Sequence, residues 1–332
     1  MLKILIVRVS SLGDVLHNMP MLQDILQHHP DAQIDWVVEE AYVNLVRLPA
    51  GVNTIIPVAL RRWRKSLLSA ATRAEIAAFR RNLKTTAYDF VFDTQGLFKT
   101  GLLMSWARLA PGGQKIGLAN GTEGSGYEAI SRVFHSRSIA VPSRTHAVAR
   151  ARLVAAAGLG YQVQTPADFG LRHVQFSAAP AWLPQKPFAV FFHATARAAK
   201  KWPQSAWVET GHFLVQRGWL ILLPWGNEEE QTQAQSLAQQ IPGARVLPAL
   251  PMHEAVQLAQ AASLVIGVDT GLTHIAAAFE RPTIELYCDS PRWKTEGNWS
   301  ERIINLGDSG QAPAVLEVKA ALVKLGIVPR VS

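Results

Sequence analysis

Two short segments put reactive side chains where an apolar run gives way to a helical pattern. In the first, Ser10-Ser11-Leu12-Gly13-Asp14 separates KILIVRV (3–9) from a pattern that begins at Val15. Small residues at such a junction leave backbone N–H groups pointing outward, where they can hold an anion or a hydroxyl. Asp14 has two readings. It can cap the helix, the commoner role for an aspartate there, or it can act as a general base. The segment fits neither a Walker sequence nor GxGxxG, which argues against a dinucleotide site. In the second segment SLVIGV runs into Asp269-Thr270-Gly271-Leu272-Thr273-His274 and then IAAA. Gly271 lets backbone approach a ligand closely, and the N–H groups of 271–273 begin a helix where a diphosphate would fit. Capping alone also explains Asp269 and Thr273, and a satisfied core position explains His274.

Three further clusters can support that chemistry. The run FAVFFHA (188–194) leads into His193-Ala194-Thr195-Ala196-Arg197-Ala198-Ala199-Lys200-Lys201, with Pro203 suited to the first turn of the next helix. Lys200 can neutralise a leaving diphosphate or simply be solvated. In LPWGNEEE (223–230) the glutamates Glu228, Glu229 and Glu230 suit a first helical turn, and one of them can instead accept ribose hydroxyls. Between 61 and 84 the cations Arg61, Arg62, Arg64, Lys65, Arg73, Arg80, Arg81 and Lys84 meet only Glu75, so this stretch carries most of the net charge of +8. With Trp63 and Ser66-Leu67-Leu68 it reads as a cationic patch with an apolar wedge, an interfacial or phosphate-binding element.

The elements that must position these residues alternate β-branched runs with helical patterns, the βαβ signature of a parallel sheet. The first half has runs at 3–9, 33–39, 53–58 and 88–96, and the second at 188–194, 218–226, 263–271 and 282–287, with helices expected over 228–240 and 252–261. A weakly periodic segment at 171–187, holding Pro180, Pro184 and Pro187, reads as a linker. At roughly 150 residues per domain, 332 residues suit two domains, 1–175 and 185–332. The expectation is an α/β protein of two Rossmann-like, doubly wound domains facing across a cleft, with ligands outside the carboxyl ends of the strands. The six glycines between 112 and 126 suggest a flexible loop, with a lid as the less common alternative.

Composition excludes several classes. With 48% hydrophobic and 17% charged residues the chain is globular rather than disordered. The single cysteine, Cys288, rules out an intramolecular disulfide and fits a reducing compartment. Ile4 to Val7 is too short for a signal-peptide core, and no run approaches a membrane span, so any membrane contact is expected to be peripheral. A positive balance implies a polyanionic partner. A nucleic-acid binder should show dispersed phosphate-binding stripes, and the concentration of charge in one stretch argues against it.

Taken together, the chain resembles the bacterial lipopolysaccharide heptosyltransferases. The likeness runs over nearly its whole length: VRVSSLGDVLHNMP, WVVEE (36–40), PVALRRWRK (57–65), DTQGLFKT (93–100), the HAT…KKWP loop, LPWGNEEE and VDTGLTHIAAA (268–278). SSLGD with RRWRK and LPWG is similar to the members that act first in inner-core assembly; a member acting on an already heptosylated core is the alternative. The resemblance implies a GT-B fold, ADP-heptose bound by the C-terminal domain, and a Kdo sugar of Kdo-lipid A as acceptor on the N-terminal one. It also implies a cytoplasmic enzyme, peripheral on the inner membrane. It makes Asp14 the base and Lys200 a catalytic cation, and assigns the donor to Thr195, Lys200, Glu230 (or Glu228), Asp269, Thr270, Gly271, Leu272 and His274. Acceptor contacts are expected from Ser10, Ser11, Gly13, Arg61, Arg62, Arg64 and Lys65. No metal or other cofactor is expected, since no Asp-x-Asp motif is evident. One departure stands out: close relatives carry a second threonine where this chain has Ala196, which removes one hydroxyl.

Overall fold

Strands buried on both faces favour parallel pairing covered by helices, and each half of the chain builds such a sheet. The computed structural model describes residues 1–164, 166–176 and 180–329. The first sheet contains β1 (Lys3–Val7), β2 (Gln33–Glu39), β3 (Val52–Val58), β4 (Ala87–Asp93), β5 (Arg108–Leu118) and β6 (Arg137–Ile139), in the order β3-β2-β1-β4-β5-β6. The second contains β7 (Phe188–Phe192), β8 (Leu220–Leu223), β9 (Arg245–Val246), β10 (Leu264–Val268), β11 (Thr283–Tyr287) and β12 (Ile303–Gly307), in the order β12-β11-β10-β7-β8-β9. All pairs within both sheets are parallel. Numbered from its own first strand, each sheet has the order 3-2-1-4-5-6, the doubly wound Rossmann arrangement.

Strand order reverses at β1/β4 in the first sheet and at β7/β10 in the second. A crevice opens beyond the carboxyl ends of such a strand pair, and there the sequence places SSLGD and DTQG, then the HAT loop and DTGLTH. The expected helices over 228–240 and 252–261 form as Glu228–Gln240 and Met252–Ala261.

The described residues cluster into two compact units that divide between Gly170 and Leu171, so the proline-bearing segment is carried by the second unit. Of that expected linker, 177–179 lie outside the described residues, as do the last three residues of the expected second domain. In the first unit, the helices Met19–His28 and Ala147–Leu159 are clamped by a buried bidentate pair, Arg152 to Asp24 at 2.6 and 2.8 Å. In the second, Phe191, Trp202 and Trp207 pack ring against ring at the centre of the core. The last helix, Val315–Lys324, buries Val318, Ala321 and Leu322 in that same core.

The glycine-rich segment differs from expectation. Much of it is β5, an eleven-residue strand paired with β4 and β6. Two of its three glycines mark close approach: a Cβ at Gly113 would lie 2.6 Å from the Tyr88 carbonyl oxygen, and one at Gly117 would strike the His135 ring. Gly113→Ala must therefore displace backbone. We expect it to destabilise the protein by roughly 1–3 kcal/mol, read as a lowered urea midpoint with unchanged slope; an unchanged midpoint would show the strand tolerates the methyl group.

Candidate active site

The carboxyl end of β1 turns directly into the helix Leu12–Leu16, with Ser11 at the N-cap and Asp14 at the third position. Asp14 Oδ2 accepts the Ser11 N–H at 3.1 Å and the Ser11 hydroxyl at 2.9 Å. Asp14 therefore caps as the third residue of a capping box and not as the N-cap itself, which is Ser11, and the Ser11 N–H expected to face a ligand is taken up within the turn. Asp14 Oδ1 meets the buried Arg8 at 2.7 Å, with Arg150 3.9 Å away. Its side chain nonetheless keeps 38% exposure. Burial raises its pKa, but Arg8 and the Ser11 hydrogen bonds outweigh it and hold the carboxyl well below the usual carboxylate range. Arg150, caught between burial and the like charge of Arg8, falls to about 10.

Arg8 also ties the two loops of this switch point together, donating to the Thr94 carbonyl at 2.6 Å. The DTQG turn after β4 is shaped by Asp93, which accepts the N–H groups of Gln95 and Gly96 and the Thr100 hydroxyl.

In the second unit, a cavity of about 330 Å³ opens at the matching position, at the low end for small-molecule sites. Its lining includes Thr195, Ala196, Glu230, Thr270 and Leu272, so four expected donor residues and Ala196 come together around it. Glu230 lines it and Glu228 does not. Glu230 is aimed by the Gly226 N–H, which donates to Oε2 at 2.8 Å. His193, another lining residue, is fully buried, and burial drives its pKa down to about 4, so it is neutral near pH 7.

Asp269, Lys200 and His274 gather beside this cavity rather than in its wall. Lys200 Nζ lies 2.6 Å from Asp269 Oδ2, and His274 Nε2 lies 3.0 Å from Asp269 Oδ1. The other imidazole nitrogen, Nδ1, lies 2.9 Å from Glu285 Oε1. Glu285 is completely buried, and its second oxygen accepts from Tyr287 Oη and the Gly297 N–H, both at 2.9 Å. Burial alone would lower the His274 pKa, but Glu285 and Asp269 raise it to about 10, so the ring is an imidazolium at neutral pH. In turn His274 and Lys200 hold Asp269 far below the usual carboxylate range, against the opposing effect of burial. Gly271 opens the helix Gly271–Ala278, with Thr270 as its N-cap. The loop carrying Lys200 is anchored just beyond by the buried Trp202, whose indole donates to the Pro313 carbonyl at 2.8 Å.

The basic stretch is divided. Arg61 and Arg64 line a largely apolar cavity of about 470 Å³ with Ser10, Leu67 and Lys99, and Lys65 is exposed. Arg62 does not join that lining; it is tied to Glu40 and Glu75 at 3.1 and 2.8 Å. Trp63, expected as an exposed wedge, is instead buried, with its indole donating to Glu75 at 2.7 Å and its ring against Phe79. Of the apolar side chains of that wedge, Leu67 and Leu68 are the exposed ones. Sequence reasoning missed Arg8 and Glu285. Each was nonetheless visible as a lone charge at or inside a buried strand, a position that demands a partner.

A family description, glycosyltransferase family 9 (heptosyltransferase), matches residues 76–322, about three quarters of the chain. The chain belongs to glycosyltransferase family 9. It is therefore a glycosyltransferase. Lipopolysaccharide heptosyltransferase 1 of Salmonella typhimurium is 38% identical over 292 residues, covering 86% of this chain and 88% of that protein. The protein of the same description from Pseudomonas aeruginosa is 36% identical, with 86% and 78% covered. Among solved structures, Escherichia coli heptosyltransferase WaaC with ADP superposes with a TM-score of 0.86 at 34% identity, over 98% of this chain and all of that one. The same enzyme with ADP-2-deoxy-2-fluoro heptose gives 0.79 at 35% identity, over 98% and 99%. The fold of this family 9 member is accordingly GT-B, built of two Rossmann-like halves.

The clamp on His274 has a measurable consequence. Its pKa rises from 6.5 to about 10 on folding, so its stabilisation is fully present below pH 6.5 and is lost as pH climbs through 10. In denaturant titrations from pH 6 to 10, wild type should lose stability across that window more steeply than His274→Gln. Parallel curves would mean the ring is not charged in the folded protein.

Proposed function

We propose that this chain transfers L-glycero-D-manno-heptose from ADP-heptose to a Kdo residue of Kdo-lipid A, in building the lipopolysaccharide inner core. The observation that carries the reading is the close structural match, at 34–35% identity over 98% of the chain, to an enzyme solved with ADP and with a fluorinated ADP-heptose. The cavity beside the DTG turn supports it, since it combines a carboxylate for ribose with a helix start for phosphate.

In this reading the donor sits on the second unit. Glu230 takes the ribose hydroxyls, and Thr195, Thr270, Gly271 and Leu272 surround the nucleotide and diphosphate. Lys200 donates one of its three ammonium N–H groups to Asp269 as a hydrogen bond and has donors left for the leaving diphosphate; with the N–H groups of 271–273 it stabilises the charge that develops there. His274 acts through Asp269, which it holds in place.

Asp14 takes the proton of the acceptor hydroxyl while that oxygen attacks the anomeric carbon from the face opposite ADP, so the configuration inverts. A carboxylate held this far below its usual range is a weak base toward a free alcohol. It becomes sufficient late in the step, because the hydroxyl acidifies sharply as its oxygen bonds to carbon. Ser10, Ser11 and Gly13 frame the acceptor sugar. Arg61, Arg64 and Lys65 meet phosphate groups of the acceptor, and Arg62, engaged by Glu40 and Glu75, would join them only by leaving that pair. No helix among the described residues is long and apolar enough to cross a membrane, and in this reading the cytoplasmic enzyme meets its lipid acceptor at the inner-membrane surface.

Asp14→Asn should still bind ADP, seen as an undiminished thermal shift, and turn over at least about 100-fold more slowly; near-normal turnover would leave Asp14 a cap alone. Lys200→Ala should weaken ADP-heptose binding and rate together, and unchanged donor kinetics would remove it from the site. Offered Kdo-lipid A and a heptosylated core side by side with ADP-heptose, the enzyme should consume the former; preference for the latter would move it to the neighbouring step.

A further inference from the structure

Apolar side chains scattered singly over a surface need no explanation, whereas a cluster does. Among the described residues, five of the seven large apolar side chains that stand exposed fall in the first unit on three neighbouring segments: Leu67 and Leu68, Phe98, and Ile130 with Val133. These segments adjoin. Arg64, Leu67 and Lys99 line one cavity, and Phe98 follows on the same helix start as Lys99. The Phe98 ring then lies 5.7 Å from that of Phe134, edge to face, and the Phe98 N–H donates to Glu128 at 2.7 Å. Phe134 ends the 3-10 helix Ala129–Phe134. At three residues per turn, Ile130 and Val133 stand one above the other on the outer face while Ser131 is buried.

Exposed cations alternate with these tips: Arg64, Lys65, Lys99 and Arg132. The neighbouring carboxylates are already engaged, Glu75 by Arg62 and Trp63 and Glu128 by the Phe98 N–H. Aliphatic tips ringed by Lys and Arg fit the interfacial zone of an anionic bilayer, where acyl chains take the tips and headgroups the charges.

We propose that Leu68, Phe98, Ile130 and Val133, flanked by Arg64, Lys65, Lys99 and Arg132, form a membrane-insertion surface that seats the first unit on anionic lipid. The proposal rests on the reading of the protein as a membrane-surface enzyme and names the surface responsible. It makes the bilayer itself, and not only the acceptor, a ligand of this chain.

The test uses the full chain and acceptor-free vesicles of phosphatidylethanolamine and phosphatidylglycerol, with pure phosphatidylcholine vesicles as control. Wild type should sediment with the anionic vesicles, release in high salt, and ignore the neutral ones. Leu68→Ser and Val133→Ser should each weaken vesicle binding by roughly tenfold, the scale of one aliphatic side chain withheld from lipid. Leu316→Ser, an equally exposed position in the second unit, should bind like wild type. With a water-soluble, deacylated Kdo acceptor, Leu68→Ser and Val133→Ser should turn over like wild type.

Vesicle binding unaffected by both variants would overturn the proposal, as would equal binding to neutral vesicles. So would a wild-type dimer that the variants convert to monomer, because the patch would then cover a second copy. If the soluble acceptor is turned over while vesicles are not bound, the surface fails and the reaction assigned above stands. If vesicles are bound and no acceptor is turned over, that assignment fails and the surface stands.

Discussion

The second unit's site depends on one contact, the imidazolium of His274 held between Asp269 and Glu285. Two carboxylates separated only by this ring would repel each other and resist burial without its charge. With it, Glu285 can sit completely buried at the middle of a strand and Asp269 can stay ionised beside the cavity. Such buried pairs add little net stability because desolvation offsets much of their attraction. What they provide is position. Asp269 is fixed from one side by His274 and from the other by Lys200, so the lysine is delivered to the edge of the cavity without being part of its wall.

The first unit meets the same problem with the same device. Arg8, buried at the end of β1, grips Asp14 and the turn after β4 together. In both units an aspartate stands just past a central strand at the point where strand order reverses, and a cation from the scaffold sets its direction. The topology supplies the crevice, and the residues beyond the strand ends decide its use. Asp14 keeps a substantial exposed fraction, whereas Asp269 is nearly enclosed. This contrast suits a group that must reach a reacting hydroxyl in the first case and a group that positions others in the second.

Much of this was legible in the sequence. The apolar runs at 33–39 and 188–194 marked β2 and β7 to within a residue or two, and the helices at 228–240 and 252–261 appear with the bounds that their periodicity suggested. The SSLGD, HAT and DTGLTH segments stood out because junctions between strands and helices have few residues and each has a task. The misreadings also have physical causes. Glycines usually interrupt regular structure, so the segment around Gly113 and Gly117 looked like a loop; there the glycines serve close packing inside β5. The edge strands β6 and β9 are too short to show a pattern. Trp63 looked like a wedge because its neighbours are charged, yet its partner Glu75 lies twelve residues away on the next helix, a distance that local pattern cannot span. The pairing of Arg62 was hidden for the same reason, since Glu40 belongs to the end of a different strand connection.

The proposed transfer is a single displacement in which Asp14 takes the proton of the acceptor hydroxyl and ADP leaves. It is tested most directly by isolating the product formed from ADP-heptose and Kdo-lipid A. One ADP should be released for each heptose added, with the sugar attached to Kdo and an anomeric configuration opposite to that of the donor by nuclear magnetic resonance. Retention of configuration, or release of ADP without transfer to Kdo, would contradict it.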